Sequence, residues 1–281
     1  MDKNQDEEPV VPRELKPEER AYWKELKEWE KQHIPEKANV LSDNGLKLNG
    51  YIYKNEKPTN KWSIVVHGYN SQGLKMLGFV HEFYARGFNV LAPDCRGHGL
   101  SEGNYIGMGW DDRKDIMVWI REIIQFENKA EIALFGISMG GAAVMMTSGE
   151  NLPKNVKCII EDCGYTTVWD QFLFQLKKMY KLPSFPFLTS TNLVAKIRAG
   201  YDMKKASAVE QVKKSKTPTL FIHGGSDEFV PTAMVYKVHG AASCQKELLV
   251  VDGAWHGGSS LMDYKGYFSA VDKFLNEYFL N

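Results

Sequence analysis

Gly136-Ile137-Ser138-Met139-Gly140 is a G-x-S-x-G pentapeptide whose two flanks favour different secondary structures. Residues 132–135 are apolar and typical of a short strand, whereas residues 141–147 are small and apolar, as in a helix packed under a sheet. A strand, a tight turn and a helix in this order expose a serine hydroxyl at the end of a sheet, where it can act as a nucleophile. The glycines permit the turn and keep side chains away from the serine Oγ. The pentapeptide therefore predicts a nucleophilic Ser138, although glycines in such a turn could also serve helix packing alone.

A serine hydroxyl needs a base, and the base needs an orienting group, because the hydroxyl is a poor nucleophile at neutral pH. After an elbow of this kind, the acid and then the histidine follow in the chain. Residues 218–223 predict a buried strand whose following turn carries Asp227, and residues 247–251 predict another strand whose following loop carries His256. Open parallel sheets place their chemistry beyond the carboxyl ends of the strands. The spacing therefore predicts a triad of Ser138, Asp227 and His256.

Other acidic residues compete for the role of Asp227. Asp162 ends the strand predicted at 156–162 and is the main alternative, while Glu161 and Glu228 are weaker ones. Asp227 could also be a turn aspartate that bonds its own backbone. Asp227 is therefore the predicted acid, with Asp162 as its main alternative.

Several further polar residues invite a structural interpretation. His67 and His98 precede the serine, and we expect them to hold loop backbone rather than act as the base. We expect His223 to support the Asp227 turn. Arg96 is expected to brace its own loop through an ion pair or carbonyl contacts, with substrate contact as the alternative.

These residues resemble the α/β-hydrolase superfamily, and the resemblance covers nearly everything from about Leu46 to the C-terminus. Within the superfamily the chain is most similar to bacterial serine esterases often labelled by analogy with the prolyl-oligopeptidase clan. Residues 62–69 resemble the strand and His-Gly-x turn of the oxyanion loop. Residues 89–103 are similar to the Asp-x-Arg-Gly-His-Gly-x-Ser loop, and residues 159–165 resemble the strand that leads into an inserted cap.

The resemblance implies an oxyanion hole made of two backbone N–H groups. One donor is expected from Met139, at the positive end of the helix that follows the serine. The other, which rests on the superfamily resemblance, is expected from Tyr69, just past the His67-Gly68 turn.

The order of predicted elements indicates a mostly parallel, doubly wound α/β sheet with the α/β-hydrolase fold and a helical cap insertion. An alternating stretch at 46–53, preceded by an Asn44-Gly45 turn, predicts an antiparallel first strand. Further strands are predicted near 62–67, 88–93, 132–136, 156–162, 218–223 and 247–251, and helices near 72–86, 110–127, 139–149, 232–242 and 263–279.

The segment from Cys163 to about Lys216 interrupts this alternation of strands and helices. It is rich in aromatic residues and contains Pro183 and Pro186, which interrupt helices. We predict a helical cap at about 164–216 that excludes water and shapes the substrate pocket. Most of its aromatic residues are expected to pack helices onto the core, and Trp169 and Phe172 are predicted to line the pocket.

The N-terminal residues differ in composition from the rest. Residues 1–16 are charged and predict a flexible or loosely docked leader, and Pro17 begins a helix that runs to about His33. Tyr22, Leu26 and Trp29 share one face, which we expect to dock on the body of the protein. An interfacial membrane helix is the alternative, which the alternation of acids and bases on the polar face disfavours. The predicted division is a leader with a docking helix at 1–40 and a hydrolase domain at 41–281.

Composition excludes several classes of function. The 281 residues carry 35 basic and 35 acidic side chains, so no basic field points to nucleic acid. No apolar run is long enough for a membrane span, and the first residues do not resemble a signal peptide. Four scattered cysteines indicate a reducing compartment, and we expect a cytoplasmic protein, with a peripheral or N-terminally anchored parent as the alternative. No metal or dinucleotide motif is present, so no cofactor is expected.

The sequence thus predicts a serine hydrolase that cleaves small-molecule carboxylic esters with small to medium acyl groups through an acyl-enzyme. A peptidase, amidase or thioesterase with the same triad is an alternative. A non-catalytic ligand-binding protein on the same fold is the second alternative, because a fold does not determine function. The oligomeric state is left open.

Overall fold

The computed structural model describes residues 17–279, which form an eight-stranded sheet with helices on both faces. The strands are β1 (Glu36–Leu41), β2 (Lys47–Tyr53), β3 (Lys61–Val66), β4 (Asn89–Pro93), β5 (Glu131–Ile137), β6 (Val156–Asp162), β7 (Thr219–Gly224) and β8 (Lys246–Val251). The helices are α1 (Pro17–Gln32), α2 (Leu77–Ala85), α3 (Asp112–Phe126), α4 (Met139–Thr147), α5 (Val168–Tyr180), α6 (Phe187–Arg198), α7 (Ala208–Val212), α8 (Ala233–Ala241), α9 (Ser259–Met262) and α10 (Tyr264–Tyr278). A 3₁₀ turn at Gly73–Met76 precedes α2.

The strand order is β1-β2-β4-β3-β5-β6-β7-β8. The β1–β2 and β2–β4 pairs are antiparallel, and all the other pairs are parallel. This arrangement confirms the predicted α/β-hydrolase fold with its mostly parallel sheet. Because β5, β6, β7 and β8 are parallel neighbours, their carboxyl ends meet at one edge, and the segments that follow them come together there.

Strand β1 was not anticipated, so the prediction that residues 46–53 form the first strand is wrong in its order. The antiparallel character of that stretch, now β2, is confirmed. β1 pairs with it in a hairpin, from Glu36 opposite Ile52 to Leu41 opposite Lys47. It is an edge strand in which Val40 alone is buried, so it lacks the apolar alternation that marks a strand in sequence.

The buried side chains form one cluster on each face of the sheet. Successive residues of a strand point to opposite faces, so Ile64 of β3 packs in the cluster that contains Trp119 of α3. Its neighbour Val65 packs in the other cluster, with Phe83 of α2 and Phe274 of α10. All five side chains are at most 3% exposed. The sheet is therefore covered on both faces and holds its carboxyl edge rigidly.

Helices α5, α6 and α7 form the inserted cap between β6 and β7. Helix α5 starts where the Thr167 hydroxyl accepts the N–H of Asp170 at 2.8 Å, and it ends at Lys181 in the left-handed conformation. The side-chain amides of Gln171 and Gln175 both donate to the carbonyl of Phe229, in the loop after β7. The cap is thus attached to a loop at the carboxyl edge of the sheet.

Helix α1 lies against α2. Leu26 is 1% exposed, and the Tyr22 hydroxyl donates to Glu82 Oε1 at 3.2 Å. The ring of Trp29 packs edge-on against Tyr84 at 5.2 Å between ring centres. The predicted leader at 1–16 lies outside the described residues, and the division into domains remains a prediction.

Within residues 17–279, no helix has the length and apolar character needed to cross a membrane. A cytoplasmic location remains a prediction.

Candidate active site

Ser138 occupies the sharp turn between β5 and α4. Its backbone has φ 57° and ψ −117°, a strained conformation for a residue with a side chain. Its N–H donates to the carbonyl of Asp162 at 2.8 Å, which ties the turn to the neighbouring strand β6. The close packing explains the flanking glycines, since a Cβ on Gly136 would overlap the Gly140 carbonyl and one on Gly140 would overlap the Val66 carbonyl. The turn is therefore fixed by its hydrogen bond to β6 and by the close packing of its glycines.

His256 and Asp227 reach Ser138 from the loops after β8 and β7. His256 Nδ1 lies 2.7 Å from Asp227 Oδ2, and its Nε2 lies 2.8 Å from Ser138 Oγ. An ionised carboxylate can only accept, so the proton of neutral His256 sits on Nδ1 and leaves Nε2 free to accept from the serine hydroxyl. The three residues predicted from separate parts of the sequence are therefore joined in one chain of hydrogen bonds.

The Asp227 carboxylate is fixed in place and kept ionised. Its Oδ1 accepts the N–H groups of Phe229 and Val230, both at 2.8 Å. Burial raises the pKa of Asp227, but the imidazoles of His223 and His256 outweigh burial and hold that pKa well below its ordinary value. The carboxylate is thus an acceptor over the whole neutral range.

The alternative acids occupy different environments. The Asp162 carboxyl accepts the hydroxyl of Tyr267 at 3.0 Å, and burial raises its pKa to about 6. Glu161 is fully buried, accepts the N–H of Gly164, and has a pKa that burial raises to about 8. The Glu228 carboxylate is exposed and pairs with Lys178. Asp227 is the acid that contacts His256.

The predicted oxyanion donors lie on either side of Ser138. Met139 is the first residue of α4, and Tyr69 follows Gly68, whose Cβ position lies 3.3 Å from the Ser138 Cβ. Among the backbone hydrogen bonds of turns, loops and helix caps in the described residues, none has the N–H of Met139 or Tyr69 as its donor. Both groups are available to a ligand next to the serine, and their role as an oxyanion hole stays a prediction.

Comparisons with known proteins agree with this architecture. Residues 57–184 match the family model described as serine aminopeptidase, S33. The uncharacterized protein YqkD of Bacillus subtilis is 26% identical over 242 residues, which cover 84% of this chain and 78% of the relative. The esterase Pf2001 of Pyrococcus furiosus superposes with a TM-score of 0.72 and 23% identity, covering 96% of this chain and 98% of that chain. Est1E of Butyrivibrio proteoclasticus, with ferulic acid bound, gives a TM-score of 0.68 at 18% identity, covering 87% and 100%.

The fold and the family match over residues 57–184 are those of an α/β hydrolase. This confirms the resemblance inferred from the elbow and its neighbouring loops.

Two cavities open at Ser138 in this hydrolase, and Tyr69 lines both. The His256 cavity has a volume of about 440 Å³, and its lining includes Tyr22, Trp23, Trp255, His256 and Tyr264. The cap cavity has a volume of about 480 Å³, and its lining includes Met108, Met139, Phe172, Leu176, Leu188 and Phe229.

The two predicted substrate contacts differ in position. Phe172 lines the cap cavity, whereas Trp169 lines neither cavity. The Lys204 ammonium instead lies 4.2 Å from the centre of the Trp169 ring. The prediction that Trp169 lines the pocket is therefore not supported for these cavities, because the residue lies where the cap packs on itself.

The supporting residues of the hydrolase have the structural roles expected from the sequence. His67 Nε2 accepts the N–H of Cys95 at 2.9 Å, and burial lowers the His67 pKa to about 3, so the ring is neutral. Arg96 pairs with Asp115 at 2.6 Å and braces its loop against α3. His223 Nε2 donates to the carbonyl of Val230 at 2.9 Å and supports the Asp227 turn.

In the part of the chain that the structure describes, one set of side chains offers atoms that a metal could use. Ligand atoms of Cys163, Asp227 and His256 all lie within 4.8 Å of one another. His256 and Asp227 already bond each other, and His256 also bonds Ser138. Coordination would have to compete with those hydrogen bonds, so the arrangement fits proton transfer better than metal binding.

Some residues of the site carry no signal in the sequence. Phe229, whose ring lies 4.9 Å from that of His256, could have been suspected only from its place two residues after Asp227. Tyr22 and Trp23 belong to α1, more than a hundred residues before the serine, and only the folded chain brings them to the His256 cavity.

Proposed function

We propose that this hydrolase cleaves carboxylic esters, with Ser138 as nucleophile, His256 as general base and acid, and Asp227 as the orienting acid. The observation that carries the proposal is the continuous pair of hydrogen bonds, 2.8 Å from Ser138 Oγ to His256 Nε2 and 2.7 Å from His256 Nδ1 to Asp227 Oδ2. A base that touches the nucleophile and is oriented by a buried carboxylate is the arrangement that activates serine.

In the first half-reaction, Ser138 Oγ attacks the ester carbonyl while His256 Nε2 takes its proton. The resulting imidazolium is stabilised by Asp227, and the oxyanion is held by the N–H groups of Tyr69 and Met139. His256 then protonates the leaving alcohol, and the acyl group stays on Ser138. Water activated by His256 hydrolyses the acyl-enzyme in the second half-reaction. Neither half-reaction requires a cofactor.

The charges around Ser138 favour an uncharged substrate over the substrate of an aminopeptidase, the activity named for the matching family model. An aminopeptidase must bind the terminal ammonium of a peptide near the scissile carbonyl, which calls for a free carboxylate. Among residues 17–279, no charged side chain lines the cap cavity, and the His256 cavity is lined by one acid, Glu82, and one lysine, Lys75. Glu82 already accepts hydrogen bonds from Tyr22, Tyr264 and Arg86.

The solved structures that share the fold support the same preference. Pf2001 is named as an esterase, and Est1E is solved with ferulic acid, an aromatic carboxylic acid, bound. The cap cavity, at about 480 Å³, accommodates acyl groups of small to medium size.

The test compares wild-type protein with Ser138→Ala on p-nitrophenyl butyrate. Loss of the nucleophile should lower kcat by several orders of magnitude, roughly 10⁶-fold where the triad acts as a unit. Ser243→Ala is the matched control, because Ser243 is exposed after α8 and lines neither cavity, so the variant should keep the wild-type rate. Ester hydrolysis by Ser138→Ala at the wild-type rate would show that the proposal is wrong.

Two further measurements separate the alternatives. A fluorophosphonate probe should label wild-type protein and fail to label Ser138→Ala. If the protein only bound its ligand without catalysis, the probe would label neither wild-type protein nor the variant. An ester, an anilide and a thioester of the same acyl group should then be compared by kcat/KM. The ester should be the best substrate, and a clearly faster anilide or thioester would favour an amidase or thioesterase.

A further inference from the structure

Ser138 stands at the junction of two separate cavities, so a substrate ester can extend in two directions from its carbonyl. The His256 cavity and the cap cavity share Ser138 and Tyr69 in their linings. Their volumes, about 440 and 480 Å³, are similar, and each is large enough for a substantial group. The chemistry of the proposed reaction determines which half of the ester belongs in which cavity.

The histidine decides the direction of the leaving group. His256 Nε2 must donate a proton to the leaving oxygen, so that oxygen and its substituent have to lie on the histidine side of Ser138. His256, Trp255 and Gly257 line the His256 cavity and are absent from the lining of the cap cavity. The leaving alcohol therefore extends into the His256 cavity and the acyl group into the cap cavity.

Helix α1 contributes to the lining of the His256 cavity. Tyr22 and Trp23 of α1 line it, and Tyr264 of α10 lines it as well. The hydroxyls of Tyr22 and Tyr264 both donate to Glu82 Oε1, at 3.2 and 2.7 Å, and the two rings lie 5.9 Å apart. One buried carboxylate of α2 thus holds an aromatic ring of α1 against one of α10.

The same bonds leave little polar capacity in this wall. Oε1 of Glu82 accepts both tyrosine hydroxyls, and Oε2 accepts Arg86 at 2.7 Å, so the carboxylate is already engaged. The hydroxyls of Tyr22 and Tyr264 are both bonded to Glu82, and the lining of the cavity includes the aromatic residues Tyr22, Trp23, Tyr264 and Phe268. A ligand in this position meets mainly aromatic surface.

We propose that α1 forms one wall of the site for the leaving group, and that the substrate is an ester of a bulky apolar or aromatic alcohol. The inference rests on the proposed ester hydrolysis and adds to it the class of alcohol. Helix α1 is then a part of the active site that determines specificity, in addition to covering α2.

Gly78 of α2 offers a test that leaves α1 unchanged. It lines the His256 cavity, and a Cβ at this position would have a single neighbour within 4 Å, the Tyr22 hydroxyl at 3.9 Å. Gly78→Leu should therefore fold, since leucine favours a helix more than glycine does, and its side chain should fill the cavity. Gly240→Leu is the matched control, because Gly240 is an exposed position of helix α8 with nothing within 4 Å of its Cβ position.

The substrates form two series of esters of aliphatic or benzyl alcohols. Their hydrolysis is measured by the carboxylic acid that it releases. Methyl, butyl and benzyl butyrate vary the alcohol, and methyl acetate, butyrate and octanoate vary the acyl group. For wild-type protein, kcat/KM should rise along the alcohol series, by up to roughly fourfold per buried methylene. Gly78→Leu should lower kcat/KM for benzyl butyrate by at least about tenfold and leave kcat/KM for the methyl esters within about twofold. The leucine side chain would occupy the space in which the benzyl group is otherwise buried, whereas a methyl group does not need that space.

A second pair of variants tests α1 itself. Trp23→Ala removes a ring from the wall and should lower kcat/KM selectively for benzyl butyrate. Lys27→Ala is its control, since Lys27 is an exposed residue of the same helix α1 and does not line the cavity. A selective loss with Trp23→Ala and not with Lys27→Ala supports the wall, and equal losses with both variants would overturn it.

The outcomes separate the two proposals. The inference would be overturned if the loss of kcat/KM caused by Gly78→Leu grew with the size of the acyl group or were the same for all esters. Ester hydrolysis by Ser138 would still stand in either case. If wild-type protein hydrolysed none of these esters and Ser138 resisted the fluorophosphonate probe, the proposed function would fail and this inference with it.

Discussion

The imidazole of His223 lies 3.4 Å from the same Asp227 oxygen that accepts the hydrogen bond of His256. His223 is completely buried, and its Nε2 donates to the carbonyl of Val230 at 2.9 Å. The carboxylate therefore lies between two imidazoles. Burial lowers the pKa of His223, but its neighbours Asp227, Val230 and Glu161 outweigh burial and raise it. We interpret His223 as a positioning residue that keeps Asp227 aimed at His256.

Replacing His223 with phenylalanine should weaken catalysis without weakening substrate binding. The variant removes an N–H that donates to the Val230 carbonyl and lies 3.4 Å from the Asp227 carboxylate, and losing such a contact costs about 1.5 kcal/mol, or roughly tenfold in kcat. KM should change less than about twofold, because His223 lines neither cavity. Steady-state kinetics on p-nitrophenyl butyrate measures the split.

The controls for His223 distinguish positioning from folding. His223→Gln keeps a donor on a flexible side chain and should restore most of kcat. The downfield proton resonance of the His256–Asp227 hydrogen bond should shift in His223→Phe and return in His223→Gln. A purely structural role would lower stability in both variants and leave that resonance unchanged in the folded fraction.

The two candidate acids should differ sharply when each is neutralised. Asp227→Asn removes the acceptor of His256 Nδ1 and should lower kcat by about 10⁴-fold, since the imidazole is then held in the wrong tautomer. Asp162→Asn can still accept the Tyr267 hydroxyl through its amide oxygen and should cost less than about tenfold. Measurement of kcat for both variants at pH 8 decides between them, and the reverse ranking would assign the acid to β6.

How much of this site the sequence could reveal depends on how local each signal is. Five consecutive residues are enough to identify the Ser138 turn. Asp227 and His256 each follow an apolar strand, so the sequence pattern and the order along the chain suffice to predict them. Strand β1 has mostly exposed side chains and is specified by pairing with β2, which no local pattern encodes. Trp23 reaches the His256 cavity only because α1 docks on α2. Trp169 lies in the cap but lines neither cavity, so an aromatic residue in a cap segment does not by itself indicate a cavity wall.

Glu161 should make the protein less stable as pH rises. Its pKa is about 8 in the folded chain, against an ordinary value of 4.5, because it is completely buried. The folded state thus keeps a proton that the unfolded state loses, so stability is greatest below about pH 4.5 and falls until about pH 8. Burial raises the Asp162 pKa to about 6, which adds a fall in the same direction at lower pH.

Urea unfolding of wild-type protein and Glu161→Gln at pH 5 and pH 8 tests this expectation. The neutral amide can still accept the N–H of Gly164, and the variant should lose less stability than wild-type protein between the two pH values, by up to about 4 kcal/mol. Glu228→Gln serves as the control, because its carboxylate is exposed and should leave the pH dependence nearly unchanged. Equal pH dependence in wild-type protein and Glu161→Gln would contradict a proton held at this position.

Gly140 should be intolerant of a single methyl group. Its Cβ would overlap the Val66 carbonyl oxygen, so α4 and β3 would have to separate. Such overpacking costs about 1–3 kcal/mol, and a shift of about 1 Å in the turn that carries Ser138 should lower kcat roughly 100-fold. Thermal unfolding and ester hydrolysis of Gly140→Ala measure the two effects. The same substitution at Gly240, in a helix with open space around it, should raise stability by up to about 1 kcal/mol and leave kcat unchanged. If Gly140→Ala matched wild-type protein in both measurements, contact between the start of α4 and the end of β3 could not be what holds the serine in position.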